Sequence, residues 1–139
     1  MFSSSLQPID QYRQVGVATA VSQADPHQLV LLLFDGAVAA VLQARHALAT
    51  GDITTRVNTI SRAMRIIDEG LKAALESHGD PALSANLAAL YEHMVARLFM
   101  ANRHASDAPL AEVLKLLGEL RSAWAAIAPT PAARADLQA

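Results

Sequence analysis

The sequence predicts an all-α protein, an antiparallel up-down four-helix bundle preceded by a short N-terminal helical segment. Alanine occurs 29 times and leucine 19 times in the 139 residues, and both are strong helix formers. Apolar residues recur three and four positions apart along four long stretches, which is the spacing of one helix face. The connections between these stretches are short, and short connections make consecutive helices antiparallel neighbours.

The first helix has the clearest start. Asp25 is suited to cap the helix, Pro26 suits the first helical position, and Gln28 can complete a capping box. We expect this helix to run to about residue 49, where Gly51 ends it. Six consecutive apolar residues, 29–34, cover its whole circumference, so it must be covered on more than one side.

The other three helices are predicted from the same signals. The second runs from about Thr55 to Ser77, and its core face includes Val57. The third begins at Asp80-Pro81 and has Leu83 as its first core residue, and the fourth begins near residues 106–109 and ends before Pro129. We therefore expect a mobile segment over residues 1–24 with a short amphipathic helix, the bundle over 25–128 and a disordered tail over 129–139.

A second set of apolar or small residues lies away from the core stripes and predicts a groove for an amphipathic partner helix. Second stripes also arise where one helix of a bundle contacts two others, and the sequence leaves that alternative open. Phe34 stands at the boundary of its stripe. The predicted groove residues are Leu31, Phe34, Val38, Leu42, Ile66, Gly70, Val95 and Phe99.

Composition excludes several functional classes. The chain has no cysteine, and its 11 basic and 13 acidic residues are spread along it, so no nucleic-acid-binding surface is predicted. The longest apolar runs are six residues, which is too short for stable membrane insertion. Residues 1–8 lack the features of a signal peptide, so we expect a cytoplasmic protein.

The sequence predicts neither catalysis nor a cofactor. None of the five histidines has a glutamate three residues before it, so the di-metal pattern of helical bundles is missing and no metal site is expected. Asp68 and Glu69 are adjacent and point about 100° apart on a helix, which prevents them from working as a catalytic pair. His46 and His93 lack the neighbours typical of phosphotransfer bundles.

The chain resembles the flagellar secretion chaperones that guard flagellin before export. Two motifs carry this resemblance most specifically: Pro26-His27-Gln28-Leu29 followed by Phe34-Asp35-Gly36, and Asn86-Leu87 followed by Leu90-Tyr91 and Met94. Shorter matches occur in the same order at residues 12–15, 44–45, 51–53, 66–71, 97–98, 101–102 and 123–124. The departures are small: Asp25 stands where the family usually has serine, and Ala89 and His93 replace commoner residues.

The resemblance implies a helical bundle that binds the disordered C-terminal segment of flagellin, blocks premature polymerisation and delivers flagellin to the membrane export gate. It also implies a mobile N-terminal segment that covers part of the groove, with Ile9 and Tyr12 contacting the export gate. The sequence leaves open whether this segment is such a lid or a permanently docked fifth helix. A regulatory bundle that sequesters another protein, such as an anti-sigma factor, would use the same groove, and the sequence leaves this alternative open.

Overall fold

The computed structural model describes residues 25–75 and 80–127, and these residues are helical almost throughout. No strand occurs among them, so the predicted all-α class is confirmed. The predicted N-terminal segment and tail, with Ile9 and Tyr12, lie outside the described residues. The helices are α1 (Pro26–Thr50), α2 (Ile53–Arg65) with its π-helical continuation (Ile66–Lys72), α3 (Pro81–His104) and α4 (Asp107–Ala126).

Aspartate caps begin three of the helices. The backbone N–H of Gln28 donates to Asp25 Oδ1 at 2.7 Å, as the sequence predicts for the start of α1. Asp80 accepts from the first turn of α3, with Pro81 at its start, which is also as predicted. Asp52 accepts from the N–H of Thr55 at 3.1 Å, so α2 begins at Ile53, two residues before the predicted start.

Two different residues turn the chain at the ends of α1 and α3. Gly51 has φ 76°, and Asp52 N–H donates to the carbonyl of Ala47 at 2.9 Å, which is the Schellman arrangement. At the end of α3 the left-handed position is occupied by Ala105, with φ 49°, although alanine pays a steric cost there. Both turns are short, and both keep consecutive helices adjacent.

The second helix differs from the prediction. The regular α-helix ends at Arg65, and residues Ile66–Lys72 form a π-helical segment. A Cβ placed on Gly70 would stand 2.9 Å from Leu33 Cδ2, so the absence of a side chain lets Leu33 of α1 pack closely against this segment. Below, "the second helix" means α2 and the π-helical segment together. Its predicted end at Ser77 lies outside the described residues.

Polar contacts between helices show the antiparallel arrangement. Near the end of α1, Arg45 contacts Asp107 at the start of α4, whereas Asp35 near the start of α1 contacts Arg121 near the end of α4. The pairing between the second helix and α3 has the same sense, since Arg56 contacts Asn102. Both pairs of neighbours are therefore antiparallel.

The remaining neighbours close the ring of four helices. Glu112 of α4 accepts hydrogen bonds from α3, and Ile66 of the second helix lies 3.4 Å from the Cβ position of Gly36 on α1. Each helix thus contacts the helices before and after it in the chain, and α4 returns to α1. In this ring α1 and α3 lie diagonally opposite each other, and the four-helix bundle is confirmed.

The core fills the centre of the unit that spans Val30–Ala128. Residues 25–29, at the cap and first turn of α1, belong to a second unit. The prediction that Val57 and Leu83 belong to the core is wrong, because both side chains are exposed near the starts of their helices. The largest fully buried side chains are Ile60, Ile67, Leu71, Met94, Leu98, Leu110 and Leu117, with Val41 and Val113.

Helix α1 is long enough and apolar enough to cross a membrane by length and composition alone. Seven of its side chains are nevertheless buried in the bundle, including Phe34 and Val41. The core helix of a soluble protein can satisfy the same criteria, so a single such helix is weak evidence for a membrane span.

Candidate functional site

One row of side chains on α1 faces α4. Its members are three or four positions apart and therefore lie one above the other along the helix. Asp35 and Arg45 of this row form ion pairs with α4, so the side of α1 that carries the row is the side that faces α4. The row is Leu31, Asp35, Val38, Leu42 and Arg45.

Helix α4 has a row of residues with the same spacing that faces the row on α1. Asp107 and Arg121 bind α1, and Leu114 packs against the core between them. Gly118 stands in this row, and a Cβ placed on it would meet no atom within 4 Å. The surface between these two rows, which we call the α1–α4 edge, is therefore open at Gly118 and apolar between two ion pairs.

The exposure of the side chains at the α1–α4 edge is graded. Leu42 is 49% exposed, which is high for a large apolar side chain. Leu31 and Val38 are half-buried, and Val38 packs against the core as well. Leu42 is thus the residue of this edge with most apolar surface available to another molecule.

A second surface lies between the second helix and α3. Ala88, Glu92, Val95, Phe99 and Asn102 form one row on α3, and both polar members bind the second helix. We call this surface the α2–α3 edge. Phe99 is 54% exposed, whereas Val95 is half-buried and packs against the core. This edge therefore also presents an apolar side chain between two polar contacts.

An open pocket of ≈ 430 Å³ continues the α2–α3 edge towards the start of α3. Asp68 and Lys72 line it from the second helix, and Ser84, Ala85 and Ala88 line it from α3. Its size falls within the range of roughly 300–1,000 Å³ typical of ligand pockets. Sequence reasoning missed this pocket, because each of its residues has an ordinary pattern and only the pairing of the two helices brings them together.

Ionised contacts join neighbouring helices of the ring. Hydrogen bonds from His93 and then Arg97 lower the pKa of Glu112 below its usual value. The hydrogen bond to Glu92 raises the pKa of Lys72. Burial raises the pKa of Tyr91 to about 12, so its hydroxyl stays protonated. Among the residues that the structure describes, no group of three or more His, Cys, Asp or Glu is placed to hold a metal ion.

The predicted groove is therefore divided. Leu31, Val38 and Leu42 lie together at the α1–α4 edge, and Val95 and Phe99 lie together at the α2–α3 edge. These edges belong to diagonally opposite helices, α1 and α3, so the two sets do not form one continuous groove.

Three of the predicted groove residues have other surroundings. Phe34 is 2% exposed, so its placement at the groove surface needs correction: its long side chain reaches into the core from the edge of the stripe. Ile66 lies against Gly36, and Gly70 lies against Leu33. Both positions pack against α1. At these two residues the second stripe is therefore a contact between neighbouring helices, which is the alternative that the sequence left open.

Comparison with known proteins identifies the family. The family described as flagellar protein FliS matches residues 8–131. The chain is 41% identical over 121 residues to the flagellar secretion chaperone FliS of Salmonella typhimurium, covering 87% of this chain and 90% of that protein. It is 39% identical to FliSB of Pseudomonas aeruginosa, covering 86% and 94% respectively. With FliS of Bacillus subtilis the identity is 32%, over 84% of this chain and 83% of that protein. This chain therefore belongs to the FliS family of flagellar proteins.

Proposed function

We propose that this protein is a cytoplasmic export chaperone that binds the disordered C-terminal segment of flagellin. Its relatives are named flagellar secretion chaperones, and a secretion chaperone needs a protein partner. The observation that carries the proposal is the pair of edges, each with a half-exposed large apolar side chain, Leu42 or Phe99, between polar contacts. Amphipathic helices bind such surfaces by placing apolar anchors at helical spacing.

The dimensions of the edges suit short helices. From Leu31 to Arg45 the α1 row spans 14 positions, or about 21 Å at 1.5 Å per residue. A partner helix of about four turns would cover this row. Because the two edges lie on opposite helices of the ring, one helix cannot occupy both. The client would need at least two helical segments, joined by a linker that passes around the bundle.

This arrangement explains how the chaperone would prevent polymerisation. The apolar side chains of flagellin that make intersubunit contacts would be occupied on the bundle surface and unavailable to a second flagellin. The client is disordered before binding, so the entropy cost of ordering it reduces the affinity of the complex. The client can therefore be released. Release then allows the segment to enter the filament after export.

Delivery to the flagellar export gate is the second part of the proposal. Ile9 and Tyr12, which lie outside the described residues, are the candidates for contacting the gate. Replacing both with alanine should reduce motility and flagellin secretion while leaving the affinity for flagellin near its original value. Loss of flagellin binding in this double variant would instead place the two residues in the client-binding surface.

Isothermal titration calorimetry with the C-terminal segment of flagellin tests the binding step. Coupled folding should bury about 1,000–3,000 Å² and give a large negative heat-capacity change. The circular dichroism of the mixture should show more helix than the sum of the separate components. No binding would overturn the proposal. An anti-sigma factor titrated in parallel is the comparison, and binding of that protein alone would assign a regulatory role.

A further inference from the structure

The pocket on the α2–α3 edge has an apolar floor and a charged rim. Ala85 and Ala88 of α3 and Leu75 beyond the second helix supply apolar surface. Asp68 and Lys72 stand at one side, on the second helix. The small size of the alanine side chains leaves the space between the helices unfilled, so a partner side chain can enter it.

The charges at the rim are unbalanced. Lys72 Nζ lies 3.0 Å from Glu92 Oε1 and 3.8 Å from Asp68 Oδ1, so one ammonium group serves two carboxylates. The side chains of Asp68 and Glu92 are 57% and 61% exposed, respectively. Among the described residues at this rim, two carboxylates thus face one ammonium group, and a cationic group on a partner would balance the difference.

The pocket and Phe99 are in line along α3. Ala88, which lines the pocket, and Phe99 belong to the same row and are 11 positions apart, or about 16 Å along the axis. A single partner helix of about three turns therefore reaches both. Its two apolar anchors would be separated by about 11 residues, with a polar turn between them above the Lys72–Glu92 ion pair.

We propose that this pocket anchors one amphipathic helix of the client, which inserts an apolar side chain between the second helix and α3 and sets a lysine or arginine beside Asp68 and Glu92. This inference rests on the proposed function, because it takes the flagellin C-terminal segment as the client. It adds the position of one client helix, the spacing of its anchors and the sign of the charge that flanks them.

The test uses the full-length protein and the C-terminal segment of flagellin from the same organism, titrated by calorimetry. Ala85→Trp places a large side chain over the pocket. Ala89→Trp is the matched control, because Ala89 is exposed one turn further along α3 and does not line the pocket. We expect Ala85→Trp to weaken binding at least about tenfold, as for loss of a central apolar anchor. Ala89→Trp should change the affinity less than about twofold.

A second pair of variants tests the charge. Asp68→Lys reverses the sign at the rim, and Glu69→Lys makes the same change at an exposed neighbour outside the pocket. Asp68→Lys should weaken binding about two- to fivefold and reduce its dependence on salt, as for an exposed ion pair. Glu69→Lys should have a smaller effect on both.

The outcomes separate this inference from the proposed function. If the unmodified protein does not bind the flagellin segment, the proposed function fails. If it binds and Ala85→Trp matches Ala89→Trp, the pocket assignment is wrong while the proposed function stands. Circular dichroism melts check that each variant folds. Should Ala85→Trp fail to fold, the Asp68→Lys and Glu69→Lys pair decides, and equal effects of these two variants overturn the pocket assignment.

Discussion

Arg45 and Asp107 are joined by two hydrogen bonds, from Nε to Oδ1 at 2.8 Å and from Nη2 to Oδ2 at 3.0 Å. The planar guanidinium matches both carboxylate oxygens at once, which gives the contact a fixed geometry. Asp107 also occupies the first turn of α4, where the helix dipole favours a negative charge. One contact therefore joins the end of α1 to the start of α4 and helps to set the register of the ring.

This contact predicts acid sensitivity. The hydrogen bond from Arg45 lowers the pKa of Asp107 below its ordinary value of 3.8, and His93 and Arg97 lower that of Glu112 below 4.5. The unfolded chain then binds protons more readily than the folded one, so the stabilisation is complete above these ordinary values and is lost as the pH falls through the lowered ones. Thermal melts should show the melting temperature falling below about pH 4.5.

Two substitutions check that cause. Asp107→Asn and Glu112→Gln remove the groups whose pKa is lowered, so each variant should be less stable near neutral pH and show a flatter decline of melting temperature with acid. A decline as steep as that of the unmodified protein would assign the acid sensitivity to other groups.

Two helical glycines should respond differently to alanine. A Cβ at Gly118 meets nothing within 4 Å, so Gly118→Ala should stabilise the protein by about 0.5–1 kcal/mol through helix propensity. At Gly70 the Cβ would stand 2.9 Å from Leu33, which must move, so Gly70→Ala should gain less or be destabilising. Chemical denaturation of both variants measures the difference, and an equal gain at both positions would contradict the packing argument.

Ala105 offers a test of backbone strain. Its φ of 49° lies in the left-handed region, where alanine is disfavoured and glycine is not. Ala105→Gly should raise the free energy of unfolding by about 0.5–1 kcal/mol, because the relieved strain exceeds the greater flexibility of glycine in the unfolded chain. Gly51→Ala is the reverse change at φ 76° and should be destabilising. Opposite signs for the two variants are the expected denaturation result.

Helix starts were predicted well where the signal is local. The caps at Asp25 and Asp80 depend on residues within one turn, and the structure has both. The π-helical segment could not be predicted in this way. Apolar spacing remains nearly helical through Ile66–Lys72, so no local signal marks the change of winding. The close packing of Leu33 on Gly70 in the same segment is a contact between helices, which periodicity along one helix does not give.

The candidate site was predicted only in part for a related reason. Periodicity assigns residues to faces of one helix, but it does not say which helix each face will contact. Leu42 and Phe99 were assigned to one groove, and the ring of helices separates them onto opposite edges. Phe34 was assigned to the surface because its Cβ direction is peripheral, yet its ring is long enough to reach the core.

The separation of the two edges leads to the last prediction. Leu42→Glu and Phe99→Glu each place a charge on a half-exposed apolar residue, so each should weaken flagellin binding about tenfold or more with little loss of stability. These residues are better probes than Val38, which also packs against the core. Because they lie on opposite edges of the bundle and would contact different helical segments of the client, their effects on the binding free energy should add in the double variant.

Calorimetry of the two single variants and the double variant measures that additivity. Leu117→Ala is the core control, because Leu117 is 0% exposed and its truncation should cost about 2–5 kcal/mol of stability. That variant should have a lower melting temperature, yet it should bind flagellin normally at temperatures where it is folded. If Leu42→Glu unfolds the bundle as Leu117→Ala does, Leu42 belongs to the core. If either glutamate variant binds normally, that edge does not take the client, and a single edge would then carry all of the binding.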